Sequence, residues 1–423
     1  MNGTEMTAVA PPLAPTPVSY PRRNVPVLVG FTALTNLADG VLKVALPLLA
    51  VTVTSSPGQV AAVAVALSLP WLLASLHVGV LTDRVDRRLL LSLANAARLL
   101  VVAGLLFAVV TGALTMPLLY AVAVLIGVSD VVVSTASAAL IPNAVAPSGR
   151  LRANAWITGA ETVANEFAGP ALGGLLIGLG AALSLGATAA TYALGVGLIA
   201  LLAGRFTPVP VATDQPRSVN GDIREGLRFL WHHRLLWTMT IAVSVMITGW
   251  SAWLALLPTF ATGELGLGAT GYGLLLSAIG IGGVAGAVLA GPINRLIGTR
   301  MTLLADIFGT IAMLALPAFV DEPWLIGAAA FAGGMGGTLW SVTSRTIGQN
   351  AVPDELRGRY LATARVIGWG TMPAGAALAG VLAELWGPRV AFAVFALAAA
   401  TLIVPFLRVV TPQALAKVEA EAR

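Results

Sequence analysis

Gly79-Val80-Leu81-Thr82-Asp83-Arg84-Val85-Asp86-Arg87-Arg88 is the stretch from which the rest of the chain is read. Residues 60–80 before it are apolar, with His77 as the only titratable side chain. Residues 89–110 after it are apolar again, broken by Ser92, Asn95 and Arg98. Five charges in six residues, 83–88, therefore separate two membrane-length segments. Such a cluster has no place in hydrocarbon, so it reads as a tight loop at a membrane face, and its Arg excess marks that face as cytoplasmic.

The bulk composition agrees. Of 423 residues, 57% are hydrophobic and 10% charged, against about 25% charged in ordinary soluble proteins. At about 20 apolar residues per crossing plus short loops, this length predicts about twelve transmembrane helices. The apolar runs are continuous and do not alternate, which disfavours a β-barrel. With no cysteine and three scattered histidines (His77, His232, His233) there is no thiol chemistry and no His-based metal site. The net charge of +5 is loop arginine, without the aromatic-interleaved basic face of a nucleic-acid binder. No cofactor is expected.

Hydropathy divides the chain into a disordered cytoplasmic tail (1–26), six spans (27–204), a linker with an amphipathic helix (205–234), six more spans (235–408) and a second cytoplasmic tail (409–423). Nearly all loop Lys and Arg then fall on one side. The other side holds Arg389 with Glu264, Asp321, Glu322 and Glu384. The expectation is a multi-pass protein of the inner (plasma) membrane with both termini in the cytoplasm.

The G-x-L-x-D-R-x-x-R-R pattern between the second and third spans resembles the signature loop of the major facilitator superfamily. Its D-R-x-D-R-R form is similar to the branch of macrolide-efflux and siderophore-export proteins. Asp86 stands where a Gly is usual. The resemblance implies an all-α fold of twelve helices in two pseudo-symmetric six-helix bundles, working as a monomer by alternating access. It also implies that Gly79, Asp83, Arg84, Arg87 and Arg88 belong to a conformational gate, with Arg357 and Arg359 in the matching role; topogenic charge alone is the other reading of the loop.

An internal repeat supports the two halves. Asn143-Ala144-Val145 recurs as Asn350-Ala351-Val352, Arg150 and Arg152 match Arg357 and Arg359, and Gly173 and Gly180 match Gly380 and Gly387, all 207 positions apart. Gly291 to Arg300 is a degraded echo of the signature loop.

Ionisable residues inside spans are costly and mark function by default. The first half carries Asp39, Lys43, Arg98, Asp130, Glu161 and Glu166. The middle of the second half is almost bare, and Glu161 and Glu166 align there with Gly368 and Pro373. Asp39 and Lys43 lie four apart beside Asn36, either as a self-neutralising pair or with Asp39 facing a central cavity. Arg98 neutralises Asp39 or Asp130; Asp130 is either a proton site or only the partner of Arg98. Glu166 is the first choice for a proton-exchanging carboxylate.

After it, Gly169-Pro170-Ala171-Leu172-Gly173-Gly174 resembles the antiporter signature of drug/proton exchangers in this superfamily, although ordinary small-residue packing also explains it. Trp250 and Trp253 are either cavity walls or membrane anchors.

The resemblance implies proton-coupled export of a small amphipathic molecule: a drug, a macrolide-like antibiotic or a siderophore. The expected partners are that substrate, protons and membrane lipids, with no nucleic acid. The alternatives are a uniporter or importer of a hydrophilic metabolite, or a non-transporting membrane scaffold or lipid-handling protein. Catalysis is not expected, since no Ser/His/Asp set or metal cluster lies at one depth.

Overall fold

The structure is a computed structural model that describes residues 21–82, 84–204, 206 and 219–421. The described chain is built of helices. In the first half these are α1 (Asn24–Val53), α2 (Pro57–Leu73, continued after a break by Ser75–Thr82), α3 (Arg87–Val110), α4 (Met116–Ala144), α5 (Arg150–Thr162, a π-turn Val163–Ala168, then Gly169–Leu179) and α6 (Ala181–Ala200). A linker helix, Val219–His232, precedes the second half. There α7 is Arg234–Thr259, α8 and α9 are the two parts of Ala269–Phe319, and α10 is Pro323–Ala351. α11 is Asp354–Trp369 continued by Met372–Trp386, and α12 is Pro388–Ala400 continued by Ile403–Val409.

Among the described residues, nine helices are long and apolar enough to cross a membrane. The 51-residue helix Ala269–Phe319 holds two crossings, because Gly298 breaks it at φ 78°. α2 and α5 are crossings made of shorter pieces, and with them the fold has twelve. Side chains such as Leu100, Phe107, Val288 and Leu397 point outward and stay exposed, as a lipid-facing surface requires.

The repeat is visible in the loops. Arg88, opening α3, donates to the Ala200 carbonyl at the end of α6 (2.7 Å). Arg300, opening α9, donates to the Leu407 carbonyl in the last turn of α12 (3.0 Å). Each caps orphan carbonyls at the negative end of a neighbouring helix. Where the echo has Gly298 in the left-handed region, the first half has Asp86, whose carboxylate accepts from the backbone N–H of Arg88 (2.9 Å) and Leu89 (3.2 Å). The departure from Gly therefore supplies an N-cap.

Boundaries differ from the hydropathy reading in three places. α1 starts at Asn24, earlier than 27, because the Asn24 amide donates to the carbonyls of Ala144 (3.3 Å) and Ala203 (2.9 Å) and fixes the helix start among α4 and α6. The linker helix does not lie free on a membrane surface: Leu230 is buried and Glu225 accepts from Arg359 of α11 at 2.7 Å. The C-terminal segment forms a helix, Pro412–Glu421, that buries Leu415 and Val418. Residues 1–20 of the expected tail 1–26, residues 205 and 207–218 of the linker, and residues 422–423 lie outside the described residues.

The two halves meet along a seam at the end opposite the termini. Glu384 of α11 accepts from Ser56 Oγ (2.6 Å) and the Gly58 N–H (3.0 Å) at the start of α2. Ala61, Ala255 and Ala376 form a small buried cluster below it. On the other side of the molecule α5 lies against α8, where Ser277 Oγ donates to the Phe167 carbonyl at 3.1 Å.

Candidate functional site

The first-half acids come together around Arg98. Its guanidinium is fully buried; Nη1 donates to Asp39 at 3.1 Å and Nη2 to Asp130 at 3.0 Å. Tyr192 of α6 donates its hydroxyl to the other Asp39 oxygen at 2.5 Å and places its ring 5.6 Å from the Arg98 guanidinium. The indole N–H of Trp71, on α2, donates to the second Asp130 oxygen at 3.0 Å. Five helices thus converge on one cation and two carboxylates. A buried Arg without its acids would cost several kcal/mol, so the cluster holds together as a unit. The Asp39 side chain is 12% exposed and that of Asp130 41%, so Asp130 is the member in contact with open space.

Lys43 does not pair with Asp39. Its ammonium donates to Glu166 on α5 at 2.6 Å. The intrahelical pairing is overridden because α1 and α5 touch backbone to backbone: a Cβ added at Gly169 would fall 2.6 Å from the Gly40 Cα. Gly173 likewise lies against Val41, whereas Gly174 turns to Gly273 of α8. The G-P-x-x-G-G run is thus wedged between α1 and the other half. One turn earlier on both helices, the Asn165 amide donates to Asn36 at 2.9 Å. Pro170 cannot donate to the Glu166 carbonyl four residues earlier. The helix opens there into the π-turn Val163–Ala168, and the freed Glu166 carbonyl lies against Gly280 of α8. π-turns of this kind concentrate at functional sites. Glu161, one π-turn below, is exposed and makes no ion pair or hydrogen bond among the described residues.

The remaining expected residues are placed elsewhere. Arg87 donates to the Ala139 carbonyl (2.9 Å) and, like Arg88, acts inside its own half. Gly79 and Arg84 sit beside the same loop, with Arg84 exposed. Asp83 is outside the described residues, as is the side chain of Arg357. Arg359 holds the linker helix. Trp250 is half-buried and near Gly337 of α10. Trp253 departs from both expectations: it is fully buried in the second-half core with Leu256, Leu257 and Phe260, neither on an open wall nor at a membrane-facing surface. Three residues from Trp250, it lies on nearly the same face of α7, and the packing around it, not helical phase, encloses it.

Two site residues were not singled out from the sequence. Tyr192 is an isolated aromatic in a Gly/Ala-rich span, and Trp71 reads as one more interfacial Trp. A polar-tipped aromatic at mid-span was the only available signal, since its N–H or O–H needs a partner there.

The sequence profile of the transmembrane secretion effector family matches residues 25–422. The multidrug efflux pump Tap of Mycolicibacterium fortuitum is 28% identical over 383 residues, spanning 88% of this chain and 92% of Tap. Tap of Mycobacterium tuberculosis is 29% identical over 383 residues, 86% and 88% of the two chains. Among solved structures, a mutant of the nucleoside transporter NupG superposes with a TM-score of 0.72 at 13% identity, covering 92% of this chain and 100% of that one. A bacterial homologue of the iron transporter ferroportin in an inward-facing state gives 0.72 at 15% identity, with 91% and 98% covered. At these identities the structures speak for the fold. The twelve-helix architecture and the match along almost the whole chain make this protein a member of the transmembrane secretion effector family, within the major facilitator transporters.

Proposed function

We propose that this transporter exports a small amphipathic molecule in exchange for protons, by alternating access, with its termini in the cytoplasm and the seam on the outer side. The kinship to Tap supports efflux. The observation that carries the exchange is the fully buried Arg98 shared by Asp39 and Asp130. One cation balances two acids, so the cluster holds a net negative charge that one proton neutralises. Asp130 meets open space and takes the proton; Arg98 then remains with the enclosed Asp39. Glu166, held by Lys43, is the second exchange point: a substrate or a proton that engages Glu166 frees the ammonium. Substrate and proton therefore compete for the same wall of α1, α4 and α5. The signature-loop arginines serve the opposite conformation, in which the cytoplasmic ends of the bundles approach.

The test is gradient-driven uptake of amphipathic dyes and antibiotics into everted vesicles, the direction that corresponds to export from the cell. Glu166→Gln and Asp130→Asn are expected to abolish accumulation driven by a pH gradient while leaving downhill exchange of the same compound. Undiminished gradient-driven transport in both variants would refute the exchange.

A further inference from the structure

α2 is the helix that touches both sides of the site. Its first segment, Pro57–Leu73, packs on α11 and α7 of the second half and on α4 of the first. The approach to α4 is at backbone distance: a Cβ at Gly127 would fall 2.4 Å from the Leu67 carbonyl. One turn beyond Leu67 lies Trp71, and three residues beyond Gly127 lies Asp130. The close crossing therefore brings the indole N–H to the carboxylate at 3.0 Å. The next residue, Leu72, points the other way. Its Cδ1 lies 3.5 Å from where a Cβ on Gly370 would stand, at the break between the two segments of α11. α2 itself breaks just after this pair, at Ala74.

We propose that Trp71 is a positioning residue for the exchange. It tunes how readily Asp130 takes a proton, and it transmits that event through α2 to the seam between the halves. This rests on the exchange reading above. The indole is a donor only, and its bond to a carboxylate is charge-assisted, roughly twice as strong as the bond to a neutral acid. A proton on Asp130 removes the charge that both Trp71 and Arg98 engage. Arg98 has Asp39 to fall back on, whereas Trp71 has no second hydrogen-bond partner among the described residues, so the loosened contact is the one to α2. The other charged or titratable groups that act on Asp130 are Asp39 on α1, Glu161 on α5 and Tyr192 on α6, with the Lys43–Glu166 pair next to Glu161. None of them lies on α2 within the first segment.

The experiment uses the full chain, whose lack of cysteine gives a silent background. Ala64→Cys, half-buried beside the seam cluster, is labelled with a membrane-impermeant maleimide in proteoliposomes as a function of pH. The parent is expected to show a pH-dependent transition in labelling rate. Trp71→Phe keeps the ring but loses the N–H. It is expected to move the midpoint about one pH unit higher, the size of one lost charge-assisted hydrogen bond, and to flatten the transition. Asp130→Asn is expected to remove the transition, with no further change on adding Trp71→Phe.

A Trp71→Phe curve that overlays the parent overturns the inference even if its melting temperature falls, since a purely structural Trp would change only the melting. A transition that survives Asp130→Asn overturns it too, and leaves exchange through Glu166. A parent without any pH dependence removes the exchange reading itself.

Discussion

The seam between α5 and α8 has no room for a single added carbon. A Cβ on Gly280 would fall 2.0 Å from the Glu166 carbonyl oxygen and 2.4 Å from its carbon. Ordinary contact begins near 3.5 Å, so Gly280→Ala forces the two backbones apart by about 1.5 Å. Overpacking of this kind costs roughly 1–3 kcal/mol, and a clash of backbone with backbone lies at the upper end. Parting the helices also strains the Ser277 hydrogen bond to Phe167, a contact of about 1 kcal/mol. The conformation with the seam closed is thus expected to lose about 3 kcal/mol against any conformation in which the halves separate there, a shift of about 100-fold in their ratio.

The comparison that isolates the effect is Gly334→Ala. Its Cβ would fall 2.1 Å from the Ile279 carbonyl, nearly the same overlap, but both residues belong to the second half. Gly280→Ala is expected to raise maleimide labelling of Ala64→Cys strongly with a small loss of melting temperature. Gly334→Ala is expected to lower the melting temperature and leave the labelling ratio unchanged. If the two alanines behave alike, the seam does not govern which conformation the protein adopts, and the reasoning fails.

Two further outcomes follow from the same contacts. Arg98→Met leaves the enclosed Asp39 without its cation and is expected to cost about 3–5 kcal/mol in unfolding experiments in detergent, with Asp39→Asn in the same chain restoring most of it. Glu384→Ala removes the acceptor shared by Ser56 Oγ and the Gly58 N–H at the end of the seam opposite the termini; Ala64→Cys labelling is expected to rise, and Glu384→Gln, which keeps an acceptor, to fall between it and the parent.

The membrane architecture was legible in the sequence because it rests on long-range averages: runs of apolar residues, charge placed between them, and a repeat at a fixed offset. The site was legible only as a set of residue types. That Arg98 meets an acid of its own half follows from the cost of a lone charge in a span, and the structure gives it both Asp39 and Asp130. That Lys43 chooses Glu166 over Asp39 does not follow from any local rule. Spacing of four favours the intrahelical pair by only a few tenths of a kcal/mol, and the Gly40–Gly169 crossing outweighs it by bringing a carboxylate from another helix within reach. Trp253 shows the same limit from the other side. Three residues from Trp250 on one helix, it has the same composition signal, and only the packing of α7 assigns one to the core and leaves the other half-buried. The seam glycines Gly273 and Gly280 carry no signal in a chain with 46 glycines, since nothing local distinguishes a glycine that faces the other half from one that faces its own.

The asymmetry between the halves then has a mechanical meaning under the proposed exchange. Both groups of acids lie in the first half, yet each is tied to a helix that also lies on the second. Glu166 is carried by α5, whose freed carbonyl rests on α8. Asp130 is reached by Trp71 of α2, whose neighbour Leu72 rests on α11. A charge lost or gained at either acid changes an interaction borne by a seam helix, whereas the Arg98–Asp39 pair anchors α1 to α3 and α6 inside one bundle. The second half needs no charge of its own to respond: it needs a surface that fits closely in one arrangement and releases in another, and a face of glycine and alanine meets that demand with contacts that are lost over a small separation. Placing the proton chemistry in one bundle and the close-fitting surface on the other lets the sites titrate without building an unpaired charge into the moving interface.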